Sequence, residues 1–186
     1  FIKEFEKAKR AGEAAVVITL ASKFSGTYQS AVIAAADYEN IHVVDGTSAA
    51  MGTGILVEFA FRLLDEGKSA EEIARILEEE KKKIVVVALV DTLEYLKRGG
   101  RISKAVAFAG GVLNIKPVLS VIDGEIRLLG KARGSKMGNN LLVQEIDKAG
   151  GIDFERPVLL GYSGISDALL LKYIEDSRHI WEGRLK

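Results

Sequence analysis

The segment Ser22-Lys23-Phe24-Ser25-Gly26-Thr27 carries the densest chemistry in the chain. It joins an apolar, β-rich run at residues 15–20 to an Ala-rich helix expected over residues 27–38. A loop in that position leads from the carboxyl end of a strand into a helix start. There, unpaired backbone N–H groups and the positive end of the helix dipole favour an anion. Gly26 lets a ligand approach the backbone, and Ser25 and Thr27 add hydroxyl donors. The same residues also suit an ordinary helix cap, and spacing alone leaves both readings open. Neither the GxxxxGK[ST] phosphate loop nor the GxGxxG dinucleotide loop occurs here.

A second polar loop, Asp45-Gly46-Thr47-Ser48, follows the next expected strand, at residues 41–44. Adjacent strand-end loops of an open parallel sheet line one crevice, so both loops could face one ligand. Met51-Gly52-Thr53-Gly54 follows, and glycine inside a helix costs about 1 kcal/mol relative to alanine. Something therefore approaches that helix closely, either a neighbouring helix or a ligand. A further cluster is Leu96-Lys97-Arg98-Gly99-Gly100-Arg101-Ile102, with Lys131-Ala132-Arg133-Gly134 later in the chain. Arginines in such loops can grip a phosphate or an acidic partner bidentately, although unliganded surface arginines show the same pattern. Nucleophilic catalysis finds little support. Ser25 lacks a Gly-x-Ser-x-Gly elbow, neither His42 nor His179 is spaced to serve a nucleophile, and nothing requires Asp37, Asp45 and Asp91 to form carboxylate pairs. No catalytic residue and no metal site is expected.

The elements that must position these loops alternate. A first helix carries Phe1, Ile2, Phe5 and Ala8 on one face and stops near Gly12. The strand at 15–20, the helix at 27–38, the strand at 41–44 and a helix over 48–66 follow. Ser69-Ala70-Glu71-Glu72 is a capping box opening a helix that runs to about Lys83, with Glu78–Lys82 and Glu79–Lys83 as expected i,i+4 pairs. This predicts a parallel α/β domain over 1–82. Beyond it, a strand at 84–90, a short helix at 93–98, a hairpin turning at Asp123-Gly124, a helix over 135–149, a strand at 157–162 and a helix over 167–177 predict an α+β domain over 83–186 with a mostly antiparallel sheet.

Composition narrows the function. Among 186 residues, 26 Lys and Arg balance 26 Asp and Glu, which provides no basic field for nucleic acid. Without Cys there is no disulfide, Cys-ligated zinc or thiol nucleophile. Apolar residues make up 48%, yet their runs fall far short of the roughly 20 residues a membrane span needs. A soluble protein is expected, with no transmembrane segment and no signal peptide, compatible with transient membrane contact.

Taken in order, these motifs resemble the DegV family of bacterial fatty-acid-binding proteins, which includes the FakB subunits of fatty acid kinase. The matching pieces are Ser22 through Ala31, Val44-Asp45 with Ser48, Met51 through Gly54, Leu93 through Ile102, Leu113 through Leu119, and Lys131 through Gly134. The resemblance implies a cytoplasmic lipid carrier that is not itself an enzyme. Its long-chain fatty acid would lie in an apolar tunnel between the domains, with no other cofactor. The Ser-Gly-Thr loop would bind the carboxylate, mapping onto Ser25 and Gly26 with Thr27 beside them. The second Arg-Gly loop, mapping onto Arg133, would serve the kinase partner or the phosphorylated head group. The partner, a fatty acid kinase catalytic subunit, would convert the bound acid to an acyl phosphate for phospholipid synthesis. A C16 acid has about 14 methylenes, worth a gross transfer term on the order of 11 kcal/mol before ordering costs. Affinity would then come from the tunnel and orientation from the loop.

Some positions depart from the family pattern. Ala21, Phe24, Gly46 and Ala50 stand where Ser, Leu, Ser and Ser are usual, and Ala109-Gly110-Gly111 replaces a Leu-Gly. The family's early Thr-Ser loop would precede Phe1 and its terminal His motif would follow Lys186, so the chain reads as truncated at both ends. His179 lacks the surroundings of that His. Competing readings are a small α/β enzyme holding a phosphorylated metabolite at Ser25-Gly26-Thr27, and a regulatory module that senses lipid without presenting it.

Overall fold

A strand-then-helix repeat builds the first of two units in the computed structural model, which describes residues 1–103 and 114–184. The first unit comprises Phe1–Ile84 with Asp123–Glu125, and the second Val85–Ile122 with Ile126–Lys186.

In the first unit, α1 (Ile2–Ala11) ends at Gly12, whose φ of 68° glycine adopts without strain. Then come β1 (Ala15–Thr19), α2 (Thr27–Ala35), β2 (Ile41–Asp45), α3 (Met51–Asp65) and α4 (Ala70–Glu80). The strands pair in parallel, from Ala15 opposite Ile41 to Thr19 opposite Asp45. Both end level, so the loops after Thr19 and Asp45 leave the same edge of the sheet. Val44, Leu56, Leu63, Ile73 and Leu77 form the buried core, flanked by Val16, Ile18, Phe59 and Ile84. The alternation of β-branched strands with helices apolar on one face therefore produces the α/β layer that the sequence predicts.

Several boundaries differ from expectation for local reasons. Helix α3 starts at Met51 rather than near Ser48, because Ala50 takes φ 49° and ψ −117°, outside any helical region. Helix α4 opens with the expected capping box: Ser69 Oγ accepts from the Glu72 N–H at 3.2 Å and the Ser69 N–H donates to Glu72 Oε2 at 2.9 Å. Past Glu80 the backbone tightens into a 3₁₀ turn, Lys81–Lys83. The ion pairs there are Lys81–Glu78, Lys82–Glu79 and Lys83–Glu80, one residue closer than the i,i+4 pairs expected; side chains three and four apart are both neighbours on a helix.

The second unit holds β3 (Val87–Leu89), α5 (Glu94–Arg98), β4 (Ile115–Ile122), β5 (Glu125–Arg133), α6 (Gly134–Lys148), α7 (Ala168–Asp176) and α8 (Arg178–Trp181). Its sheet order is β3-β4-β5, with β3 antiparallel to β4. Asp123 and Gly124 take φ of 52° and 72°, the two positive values that a tight type I′ hairpin turn requires. Gly138 of α6 lies against β3, where an added Cβ would come within 2.7 Å of Leu89 Cδ1. Phe154 and Tyr173 both meet the Trp181 ring edge-on, and the Trp181 indole N–H donates to Ser177 Oγ at 3.0 Å. The expected strand at 84–90 contracts to Val87–Leu89. The segment at 157–162 forms no strand: it opens on Pro157, which has no N–H to give a ladder, and finds no strand partner among the described residues. The Ala109-Gly110-Gly111 departure and Leu113 lie outside the described residues. Among the described residues, no helix is long and apolar enough to cross a membrane.

Candidate anion-binding site

After β1 the chain wraps around Ala21, which is 1% exposed. The Phe24 and Ser25 N–H groups both donate to the Ala21 carbonyl, at 2.9 and 3.3 Å, and this turn delivers Ser25 to the threshold of α2. Ser25 Oγ accepts from the Thr27 N–H at 3.2 Å and lies 2.7 Å from Thr27 Oγ1. Only one of the two hydroxyls can donate across that short contact, so the other retains a free O–H proton. The Gly26, Tyr28 and Gln29 N–H groups have no acceptor among the described residues, and the Ser30 N–H is the first to find one, at the Gly26 carbonyl.

Comparison with α4 shows what this helix start lacks. There, Glu72 supplies a carboxylate to the first turn. The Ser69 backbone N–H, and next the Ser69 hydroxyl, hold its carboxyl below the usual carboxylate range. Helix α2 has no acidic residue in its first turn and no side-chain cap at Gly26. Its hydroxyl pair, its unpaired N–H groups and the dipole's positive end suit an external carboxylate or phosphate group. Both readings left open by the spacing thus have a physical counterpart: Ser25 partly caps Thr27, and among the described residues most of the first-turn N–H groups have no acceptor.

The second loop is joined to the first by hydrogen bonds. Asp45 Oδ1 accepts from the Thr47 N–H at 3.0 Å and from the Ser22 N–H at 3.1 Å, joining its own loop to the Ser25 loop. The carboxylate therefore serves the backbone instead of another carboxylate. Asp91 likewise pairs with Lys116. The backbone adds to the joint: the Ala21 N–H donates to the Ser48 carbonyl at 2.7 Å and the Gly46 N–H to the Thr19 carbonyl at 3.0 Å. Lys81, its side chain only 10% exposed, donates to the Asp45 carbonyl at 2.9 Å. Gly46 is required by crowding, since a Cβ there would stand 2.4 Å from the Thr19 carbonyl oxygen. Ser48 Oγ and Thr53 Oγ1 are buried without a hydrogen-bond partner among the described residues. Sequence reasoning missed the roles of Asp45 and Lys81; the Asp-Gly-Thr order, typical of an Asx turn, was the available signal for the first.

Ser25, Gly26 and Thr27 thus come together in the first unit. Arg133 lies in the second, exposed at the end of β5 and immediately before α6. No group of His, Asp or Glu among the described residues could hold a metal ion.

The family model described as "Uncharacterised protein, DegV family" matches residues 1–180. A DegV domain-containing protein of Caldanaerobacter subterraneus subsp. tengcongensis is 42% identical over 161 residues, covering 85% of this chain and 57% of that protein. A Thermus thermophilus structure described as fatty acid binding of a DegV family protein superposes with a TM-score of 0.71 at 36% identity, covering 80% of this chain and 53% of that one. The Streptococcus pneumoniae Fatty Acid Kinase B3 protein, loaded with linoleic acid, has a TM-score of 0.72 at 28% identity, covering 94% of this chain and 65% of that one. The chain thus spans little more than half the length of the first two.

Proposed function

The chain belongs to the DegV family, and from that premise we propose that it binds a long-chain fatty acid, holds its carboxylate at Ser25, Gly26 and Thr27, and presents it to a fatty acid kinase. The observation that carries this reading is the open first turn of α2, where a hydroxyl proton and the Gly26, Tyr28 and Gln29 N–H groups await an anion. A carboxylate matches that donor set, because burying it without hydrogen bonds would cost several kcal/mol. Relatives described as fatty acid binding and as a fatty acid kinase protein loaded with linoleic acid support the choice of ligand and of partner. In this reading the acyl chain supplies the affinity, the loop fixes the orientation, and the chain acts in the cytoplasm as a carrier. The kinase performs the phosphoryl transfer, and Arg133 meets the kinase or the phosphorylated head group.

Reconstitution with a fatty acid kinase catalytic subunit and ATP tests this. Acyl phosphate should form only when the protein is present. Fatty-acid binding without acyl phosphate formation would favour a lipid sensor instead, and binding of phosphorylated metabolites in preference to fatty acids would favour an enzyme of the other class.

A further inference from the structure

We infer that Asp45 is a positioning residue for the carboxylate site, acting through the Ser22 backbone without touching the ligand. This rests on the fatty-acid reading above and adds a residue outside the matched Ser-Gly-Thr loop.

Farther along the Ser25 loop, Lys23 pairs with Glu125 at 3.7 Å, but the backbone at its origin is fixed by the neighbouring loop. Its first residues, Ala21 and Ser22, are held by the Ser48 carbonyl and by Asp45 Oδ1. Ala21 in turn receives the Phe24 and Ser25 N–H groups. The orientation of Ser25, and with it that of the Ser25–Thr27 hydroxyl pair, is therefore referred back to Asp45 through one short turn.

Asp45 is itself over-determined. Its strand position is set by the pairing with Thr19, its carbonyl takes the Lys81 ammonium, and its carboxylate also closes the turn onto Thr47. Thr47 sits at φ 47°, a left-handed conformation costly for a β-branched residue, and the Asp45–Thr47 bond offsets that cost. A negative charge beside an anion site would by itself oppose the ligand. Its presence is explained by acceptor geometry: Oδ1 takes two N–H groups from two loops at once.

The test compares substitutions that separate acceptor, charge and reach. The protein and each variant are titrated with palmitic acid and with hexadecanol, which shares the chain but lacks the carboxylate. Asp45→Ala removes the acceptor and should weaken acid binding by about tenfold, in line with the loss of a charge-assisted bond, while leaving the alcohol unchanged. Asp45→Asn keeps an oxygen in place without the charge and should stay within about threefold of the parent for both ligands, well short of the loss on full removal. Asp45→Ser retains an oxygen able to close the local turn onto Thr47 but too short to reach Ser22. It should therefore fold and still lose acid binding as Asp45→Ala does, which keeps the inference testable if the alanine variant is unstable.

An acid-to-alcohol affinity ratio unchanged in both Asp45→Ala and Asp45→Ser overturns the positioning role, as does an Asp45→Asn loss equal to that of alanine. Equal loss for acid and alcohol would show general damage to the fold and also overturn it. Failure of the parent protein to bind either ligand would instead overturn the fatty-acid reading on which the inference rests.

Discussion

Ser25→Ala removes a single oxygen whose interactions are all local. In the native loop that oxygen accepts the Thr27 N–H and shares a proton with Thr27 Oγ1. Two opposing effects follow. The ligand carboxylate loses one hydroxyl-mediated contact, and a hydrogen bond to a charged group is worth about 1.5–3 kcal/mol. Against this, the Thr27 N–H and hydroxyl are both released and can turn to the carboxylate. The net loss should fall at the low end, about 1.5 kcal/mol or roughly tenfold in Kd. Fold stability should change little, because the lost bonds are short-range and the site is only half-buried: about 1 kcal/mol at most, or a Tm shift of roughly 2–4 °C. Isothermal titration with palmitic acid, hexadecanol as the control and a parallel thermal melt reads all of these quantities. Unchanged acid affinity, or an equal loss for the alcohol, would refute the assignment of the carboxylate to this loop.

Other substitutions probe the surroundings. Arg133→Ala should leave fatty-acid affinity intact and reduce acyl phosphate formation in the reconstituted kinase assay; loss of lipid binding would instead place Arg133 at the carboxylate. Gly46→Ala forces a methyl group to within 2.4 Å of the Thr19 carbonyl oxygen and should destabilise the protein by about 1–3 kcal/mol in denaturant melts. Glu72 gives a pH prediction with a definite sign. The Ser69 backbone N–H, and next its hydroxyl, lower the folded-state pKa, so the capping box contributes fully above the unfolded value and fades as pH falls through the folded one. Glu72→Gln should therefore flatten the decline in Tm from about pH 5 downward, and an unchanged acid limb would contradict the assignment.

What the chain disclosed beforehand was mostly local. Ser69 and Glu72 announce a capping box because the chemistry spans three residues, and Asp123-Gly124 announces its turn because positive φ is a property of those residues. Apolar runs separated by helices disclosed the parallel layer. The segment at 157–162 has the composition of a strand, but a strand exists only with a partner, which composition cannot supply. The partner of each lysine after Glu80 is not legible, because side chains three and four residues apart are both neighbours on a helix and the spacing does not choose between them. At the candidate site, a strand-to-helix loop with an open first turn was legible from Ser25, Gly26 and Thr27. The hydroxyl pair was not, because it depends on rotamers. Nor was the role of Asp45: only the pairing of Thr19 with Asp45 brings residue 45 beside residue 22.

The central claim is that the protein carries a fatty acid, and native mass spectrometry of the protein purified from a bacterial host tests it most directly. The expected result is a species heavier than the polypeptide by the mass of one long-chain fatty acid, converted to the bare mass by delipidation and restored by added palmitic acid. A protein that remains at the bare polypeptide mass in excess fatty acid would contradict it.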